Sequence, residues 1–259
     1  MIPSIRKALN EFLSEQKERL TEKTYKGYES VIELFTIFLN GYGHTSFDGD
    51  EHENLFQAME NGIEFIDIFG VEKITYPAIH EFLGYFLIRK AMVSESFLKT
   101  TGTVMKKLVK WLYDQQYISK EEFEEQMEIV NELKDDLPLV ERVGRLLFEL
   151  HKFSSITEEN FEEYGEDYFT ITKVEKRKLW LQGDLNLDLE IGPVIVTEEI
   201  SSLCKTGWQV YLSLGLKKRK MVHPLVIKCL SIILTKSKIH LYPNLLSHTD
   251  LFGIWFGQQ

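Results

Sequence analysis

Residues 94–115 read SESFLKTTGTVMKKLVKWLYDQ. Phe97, Val104, Leu108, Trp111 and Leu112 recur at helical intervals, which predicts an amphipathic helix that opens near Ser94 or Ser96 and runs to Gln115. Lys99, Thr103, Lys106 and Lys110 share the opposite face, and Lys107 lies on its flank. Such a row of ammonium groups can neutralise phosphates, and a helix of this kind can enter a major groove. A solvated helix face is the more ordinary use of lysine.

On the N-terminal side, Tyr28, Val31, Ile32, Phe35, Phe38 and Leu39 repeat at three- and four-residue steps and predict a helix over 24–40, with Thr21 or Thr24 as its cap. Lys23 and Lys26 stand near its start and extend the lysine patch if the two helices lie side by side. Another helix follows Tyr76-Pro77, with Ile79, Phe82, Leu83, Phe86 and Leu87 inward. On the C-terminal side, an acidic helix begins at Ser119, where carboxylates in the first turn favour the positive end of the helix dipole. Pro138 separates it from a further helical run, Leu139 to His151.

After about residue 165 the period becomes two. Leu185, Leu187, Leu189 and Ile191 alternate with polar residues, as do Trp208, Val210, Leu212 and Leu214, which predicts half-buried strands. Further short strands are expected at Phe169–Val174, Lys178–Leu181 and Val194–Val196, separated by Gly183, Gly192-Pro193 and Gly207, with one helical turn at Glu199–Leu203. That number of short strands in so few residues suits a small antiparallel barrel of the SH3-like kind.

The 259 residues carry 30 Lys and Arg against 40 Asp and Glu, for a formal charge of -10. A general attraction to nucleic acid or membranes is thereby excluded, and any such binding needs a local patch. Residues 44–72 hold eight acids and no Lys or Arg; the rest of 1–118 has 13 bases against 9 acids, and 119–167 has 16 acids against 5 bases. Two cysteines, Cys204 and Cys229, make neither a disulfide framework nor a structural zinc site and fit a reducing, cytoplasmic setting. The start, MIPSIRKALNEFLSEQKERL, lacks the apolar run of a secretory signal. The longest apolar tract, Leu225–Leu234, includes Lys228 and is too short to span a bilayer.

Several residues together carry a family resemblance: Phe12-Leu13 leading to Thr24-Tyr25 and Tyr28, then Leu34-Phe35 and Phe38-Leu39. After them come Ile74-Thr75 before Ile79, Phe82 and Leu83, then Ser96, Thr100 and Thr101 before Leu108, Trp111-Leu112 and Tyr117-Ile118. In this order and spacing, residues 5–118 resemble the core-binding, SAM-like domain of phage integrases and other tyrosine recombinases, interrupted by the acidic 44–72 segment as an insertion. The resemblance implies a helical domain that clamps one side of duplex DNA. It stops before the family's catalytic domain: beyond residue 130 the arginines are Arg142, Arg145, Arg177 and Arg219, and none stands three residues after a histidine. Leu245-Leu246-Ser247-His248-Thr249 resembles the family's late Leu-Gly-His-Ser/Thr element, without its arginines or positioned tyrosine.

Lys217, Lys218, Arg219 and Lys220 form a second basic cluster at a strand exit. Trp180 and Trp208 fit core packing better than an aromatic platform for bases. The seven histidines have no metal-ligand spacing on one element, and no phosphate loop, nucleophile elbow or zinc helix motif is present, so neither a cofactor nor an enzyme is expected.

The expected architecture is α+β: an integrase-like helical domain over 1–118, an acidic helical extension over 119–164, a small SH3-like barrel over 165–220 and an atypical tail over 221–259. Two readings of the tail stand open, a poorly packing segment from a shifted reading frame and an amphipathic stretch, Val222–Leu234, that docks on the barrel. The expected function is noncatalytic DNA binding or chromosome-associated regulation. Its rival is a protein-interaction adaptor whose acidic helices and barrel engage protein partners. No membrane partner is expected.

Overall fold

Hydroxyl side chains set the helix starts. Ser4, Thr21, Thr75, Ser94 and Thr197 each accept from the backbone N–H three residues on, that of Lys7, Thr24, Ala78, Phe97 and Ile200 respectively. Ser119 makes a reciprocal capping box, accepting from Glu122 N at 3.2 Å while its own N–H donates to Glu122 Oε2 at 2.8 Å. Each cap satisfies a donor that the first helical turn leaves unpaired.

The computed structural model describes residues 2–43, 62–89, 91, 93–153, 161–183, 190–217 and 225–233. The helices are α1 (Ile5–Arg19), α2 (Glu22–Tyr42), α3 (Phe65–Ile68), α4 (Tyr76–Glu81), α5 (Leu87–Arg89), α6 (Glu95–Asp114), α7 (Lys120–Leu133), α8 (Leu137–Phe153) and α9 (Glu198–Leu203). A 3-10 turn, Val71–Lys73, precedes α4, and a π turn, Phe82–Phe86, joins α4 to α5. All five side positions of that π turn are buried, as its unbroken FLGYF sequence demands.

Aromatic rings knit the helices together. Phe12 of α1 lies 6.2 Å from Tyr28 and 5.7 Å from Trp111, and Phe38 of α2 lies 5.4 Å from Phe82 and 5.3 Å from Phe86. The end of the acidic 44–72 segment belongs to this core. Phe65, Ile66 and Val71 are buried, Ile5 N–H donates to Phe69 O at 2.9 Å, and Arg6 pairs with Glu64 and Asp67. The last part of the expected insertion, residues 62–72, is thus packed into the helical core by the apolar side chains among its acids; residues 44–61 lie outside the described residues.

The sheet comprises β1 (Phe161–Glu175), β2 (Lys178–Gly183), β3 (Glu190–Ile195), β4 (Gln209–Lys217) and β5 (Leu225–Ile233). Its ladders are antiparallel in the order β3-β2-β1-β4-β5, and one parallel residue pair, Ile195 with Leu225, brings the outer strands together. Phe169, Ile171, Leu179, Leu181, Val194, Val210, Leu212 and Leu214 fill the inner face.

Three boundaries differ from the sequence reading. β1 opens at Phe161, ahead of residue 165. Gly192-Pro193 lies inside β3, where Gly192 lets the chain approach Trp180: a Cβ there would stand 2.7 Å from Trp180 Cδ1 and 3.1 Å from its Cα. Leu225–Ile233 is a strand paired with β4 and packed beside α8, so the sheet continues past residue 220. Register shifts at Tyr211/Leu212 and Ser213/Leu214 put the β4–β5 ladder out of strict alternation, which hides the strand from a period-two reading. The expected strand alternation over Leu185–Leu189 and residues 234–259 fall outside the described residues.

One core runs from Ile5 to Leu214 without a break. Leu137, Val140, Val143 and Leu147 of α8 are buried in it, and Asp136, just before α8, accepts from Trp208 Nε1 at 3.2 Å and pairs with Lys205. Arg89 adds a second tie, its guanidinium 5.6 Å from the Tyr85 ring and 5.0 Å from the Tyr168 ring on β1.

Candidate nucleic-acid interface

Helix α6 buries Leu98, Thr101, Gly102, Val104, Met105, Leu108, Val109, Trp111 and Leu112, which leaves Lys99, Thr103, Lys106, Lys107 and Lys110 exposed on the other side. Phe97 is half-buried at the edge. The expected row is thus present as one solvent-facing surface.

Most of its groups already have local partners. Lys99 Nζ reaches Glu95 Oε1 at 2.8 Å, a hydrogen bond that holds the Glu95 carboxyl below its ordinary range. Lys110 Nζ lies 3.0 Å from Asp114 Oδ2, and Thr103 Oγ1 donates to the Lys99 carbonyl at 3.1 Å. Lys106 Nζ donates to Asn131 Oδ1 on α7 at 2.8 Å. Lys107 has no hydrogen bond or ion pair among the described residues. Exposed pairs within one helix are worth a few tenths of a kcal/mol, so phosphate oxygens can displace them.

Two neighbouring helices frame the row. On one side, a Cβ at Gly27 of α2 would stand 3.3 Å from Thr100 Cγ2, and this close crossing brings exposed Lys23 and Lys26 to the N-terminal half of α6. Lys26 lies 3.3 Å from Glu22. On the other side, a Cβ at Gly102 would stand 2.6 Å from Lys134 Cβ, and the Tyr113 and Phe123 rings stack at 4.5 Å, so α7 lies against α6. Glu124 and Glu128 occupy the same helical row as Asn131, seven and three residues before it, and both are exposed. At helix packing distances of about 8–10 Å they fall near one screening length from the lysines at physiological salt. The lysine face is open to solvent but is not clear of the acidic helix.

The second basic cluster contributes Lys217 at the end of β4, and Lys218, Arg219 and Lys220 lie outside the described residues. Trp208 is 4% exposed and donates its indole N–H to Asp136, so it is a core residue. Trp180 is half-buried, with Lys173 Nζ 4.5 Å above its ring. Arg142 pairs with Glu199 at 2.5 Å, Arg145 lies 3.9 Å from both Glu141 and Glu149, and Arg177 forms the β1–β2 turn. Arg219 and the segment Leu245–Thr249 are outside the described residues.

Among the described residues, no cluster of three or more His, Cys, Asp or Glu side chains could hold a metal ion, and no helix is long and apolar enough to cross a membrane. Cys204 is buried, and burial pushes its thiol up to about 12. Cys229 lies on β5.

The sequence reading passed over Glu81. It sits at the end of α4, directly before the π turn, and burial pushes its carboxyl up to about 7. The available signal was a lone acid in the apolar run AIHEFLGYF. No family model, curated protein or solved structure matches the chain.

Proposed function

We propose that the chain is a noncatalytic DNA-binding or chromosome-associated regulatory protein, built on an integrase-like, SAM-like helical domain and a small SH3-like β-barrel. The observation that carries this reading is the exposure of Lys99, Thr103, Lys106, Lys107 and Lys110 on one face of α6, with Lys23 and Lys26 on the adjoining helix. A noncatalytic role is supported by the sequence: of Arg142, Arg145, Arg177 and Arg219, none stands three residues after a histidine, so the family's transition-state arginines have no counterpart in their expected setting. A cytoplasmic setting agrees with the buried Cys204 thiol.

The adaptor reading also draws on a specific observation. The capped acidic helix α7 presents exposed Glu121, Glu124, Glu125, Glu128 and Glu132, a surface suited to a basic protein partner. Salt-dependent duplex binding by the full chain separates the two. Contacts from Lys99, Lys106, Lys107 and Lys110 would give a slope of about -3.6 in log affinity against log salt, and each Lys→Ala change would lower its magnitude by about 0.9. Absence of duplex binding at low salt would reject the DNA reading and leave the adaptor.

A further inference from the structure

A cavity of about 110 Å³ lies where the C-terminal end of α2 meets α3 and α4, lined by Phe38, Leu39, Tyr42, Phe65, Ala78 and Glu81, among others. Glu81 Oε1 is buried there and accepts no hydrogen bond. Among the described residues the carboxyl also has no ion pair: Lys73 borders the cavity, but its ammonium lies over the Phe69 ring at 5.8 Å, and burial alone accounts for the raised Glu81 carboxyl. The ionised form thus has no ion-pair partner among the described residues, in a pocket whose described walls are the side chains of Phe38, Leu39, Tyr42, Phe65 and Ala78, with Lys73 and Thr75 at its border.

We propose that this cavity binds an alkylammonium group, with Glu81 as its counter-ion and the rings of Phe38, Tyr42 and Phe65 as its walls. Aromatic faces attract cations, and a desolvated carboxylate beside them supplies the opposite charge and a hydrogen-bond acceptor. A neutral ligand would leave Glu81 uncompensated, and an anion would face it directly. Gly43 is part of the construction: any Cβ there would stand 2.7 Å from Phe65 Cζ, so this glycine lets the ring close over the site. At roughly 30 Å³ per water molecule the space suits a chain of a few heavy atoms. Two sources carry that chemistry, a free small amine and the lysine side chain of a protein partner.

The test titrates n-butylammonium chloride into the full chain at mildly alkaline pH and follows the ring signals of Phe38, Tyr42 and Phe65 and the Ala78 methyl by NMR. The expected result is a saturable shift of those signals, with affinity about tenfold weaker in Glu81→Gln and for 1-butanol, which has the same chain without the charge. The butanol comparison uses the unaltered chain and so decides independently of the variant's folding. A blocked Gly-Lys-Gly peptide that produces the same shifts identifies a partner's lysine as the source, and shifts with butylammonium alone identify a free amine. No saturable shift up to about 50 mM, or equal affinity for butanol or in Glu81→Gln, would overturn the proposal.

Discussion

Glu81 links burial to pH in a direction opposite to that of a salt-bridged acid. Its folded-state value of about 7 stands above the ordinary 4.5, so as pH rises through that interval the unfolded chain releases the proton while the folded chain retains it. Stability is therefore lost between about pH 4.5 and 7 and is flat above. The loss has an upper bound of about 3 kcal/mol, because separating the folded and unfolded values by one pH unit costs about 1.4 kcal/mol. Glu81→Gln is expected to melt above the natural chain at about pH 8 and close to it near pH 4, measured by thermal unfolding across the range. Arg177 is a second decisive position, at φ +62° in the β1–β2 turn, with its N–H donating to Ser201 Oγ at 2.9 Å. Arg177→Gly retains that bond in a conformation natural to glycine and should leave stability within about 0.5 kcal/mol or raise it. Arg177→Val should lower stability by about 1–2 kcal/mol, because a β-branched residue resists that region. Denaturant midpoints distinguish the two.

The contact between α6 and α7 turns on one missing side chain. Alanine at Gly102 would gain about 1 kcal/mol of helix propensity, yet its Cβ would sit 2.6 Å from Lys134 Cβ and 3.1 Å from Lys134 Cα, so the helices must part. The backbone atom cannot swing aside, and Gly102→Ala is expected to destabilise by about 1–2 kcal/mol despite the propensity gain, as read from urea midpoints. Helices of this kind were legible in the sequence: 3.6-residue spacing placed Val104, Leu108, Trp111 and Leu112 inward and the lysines outward, and Ser94 and Ser119 marked the starts. The strand Leu225–Ile233 was not, because two register shifts disrupt its alternation against β4. The lysine row was legible as a surface because helical phase alone decides exposure. Its neighbours were not, since only tertiary packing reveals that Asn131 of the acidic helix bonds Lys106.

At the scale of the whole chain, the balance between α6 and α7 is the quantity to alter, and shortening the chain to its first 118 residues is the wrong way to alter it. Ile129, Val130 and Leu133 of α7 and Leu137, Val140 and Val143 of α8 share the core with α6, and buried Gln126 Nε2 donates to Ile74 O at 2.7 Å. Removing them would expose that core and confound any change in binding. Neutralisation in place is the cleaner perturbation: Glu124→Gln with Glu128→Gln deletes two exposed charges beside the lysine row and leaves the apolar face intact. Two unit charges at about 10 Å in water interact by roughly 0.4 kcal/mol before screening, and removing Glu124 also frees Lys120, whose ammonium lies 3.5 Å from it. The double variant should therefore bind duplex DNA a few-fold more tightly at about 50 mM salt, with the gain fading toward about 300 mM as the screening length contracts. Fluorescence anisotropy with a labelled duplex across that series is the measurement. A gain independent of salt would point to altered structure, and unchanged affinity at low salt would mean that DNA, if bound, meets a face other than Lys99 to Lys110.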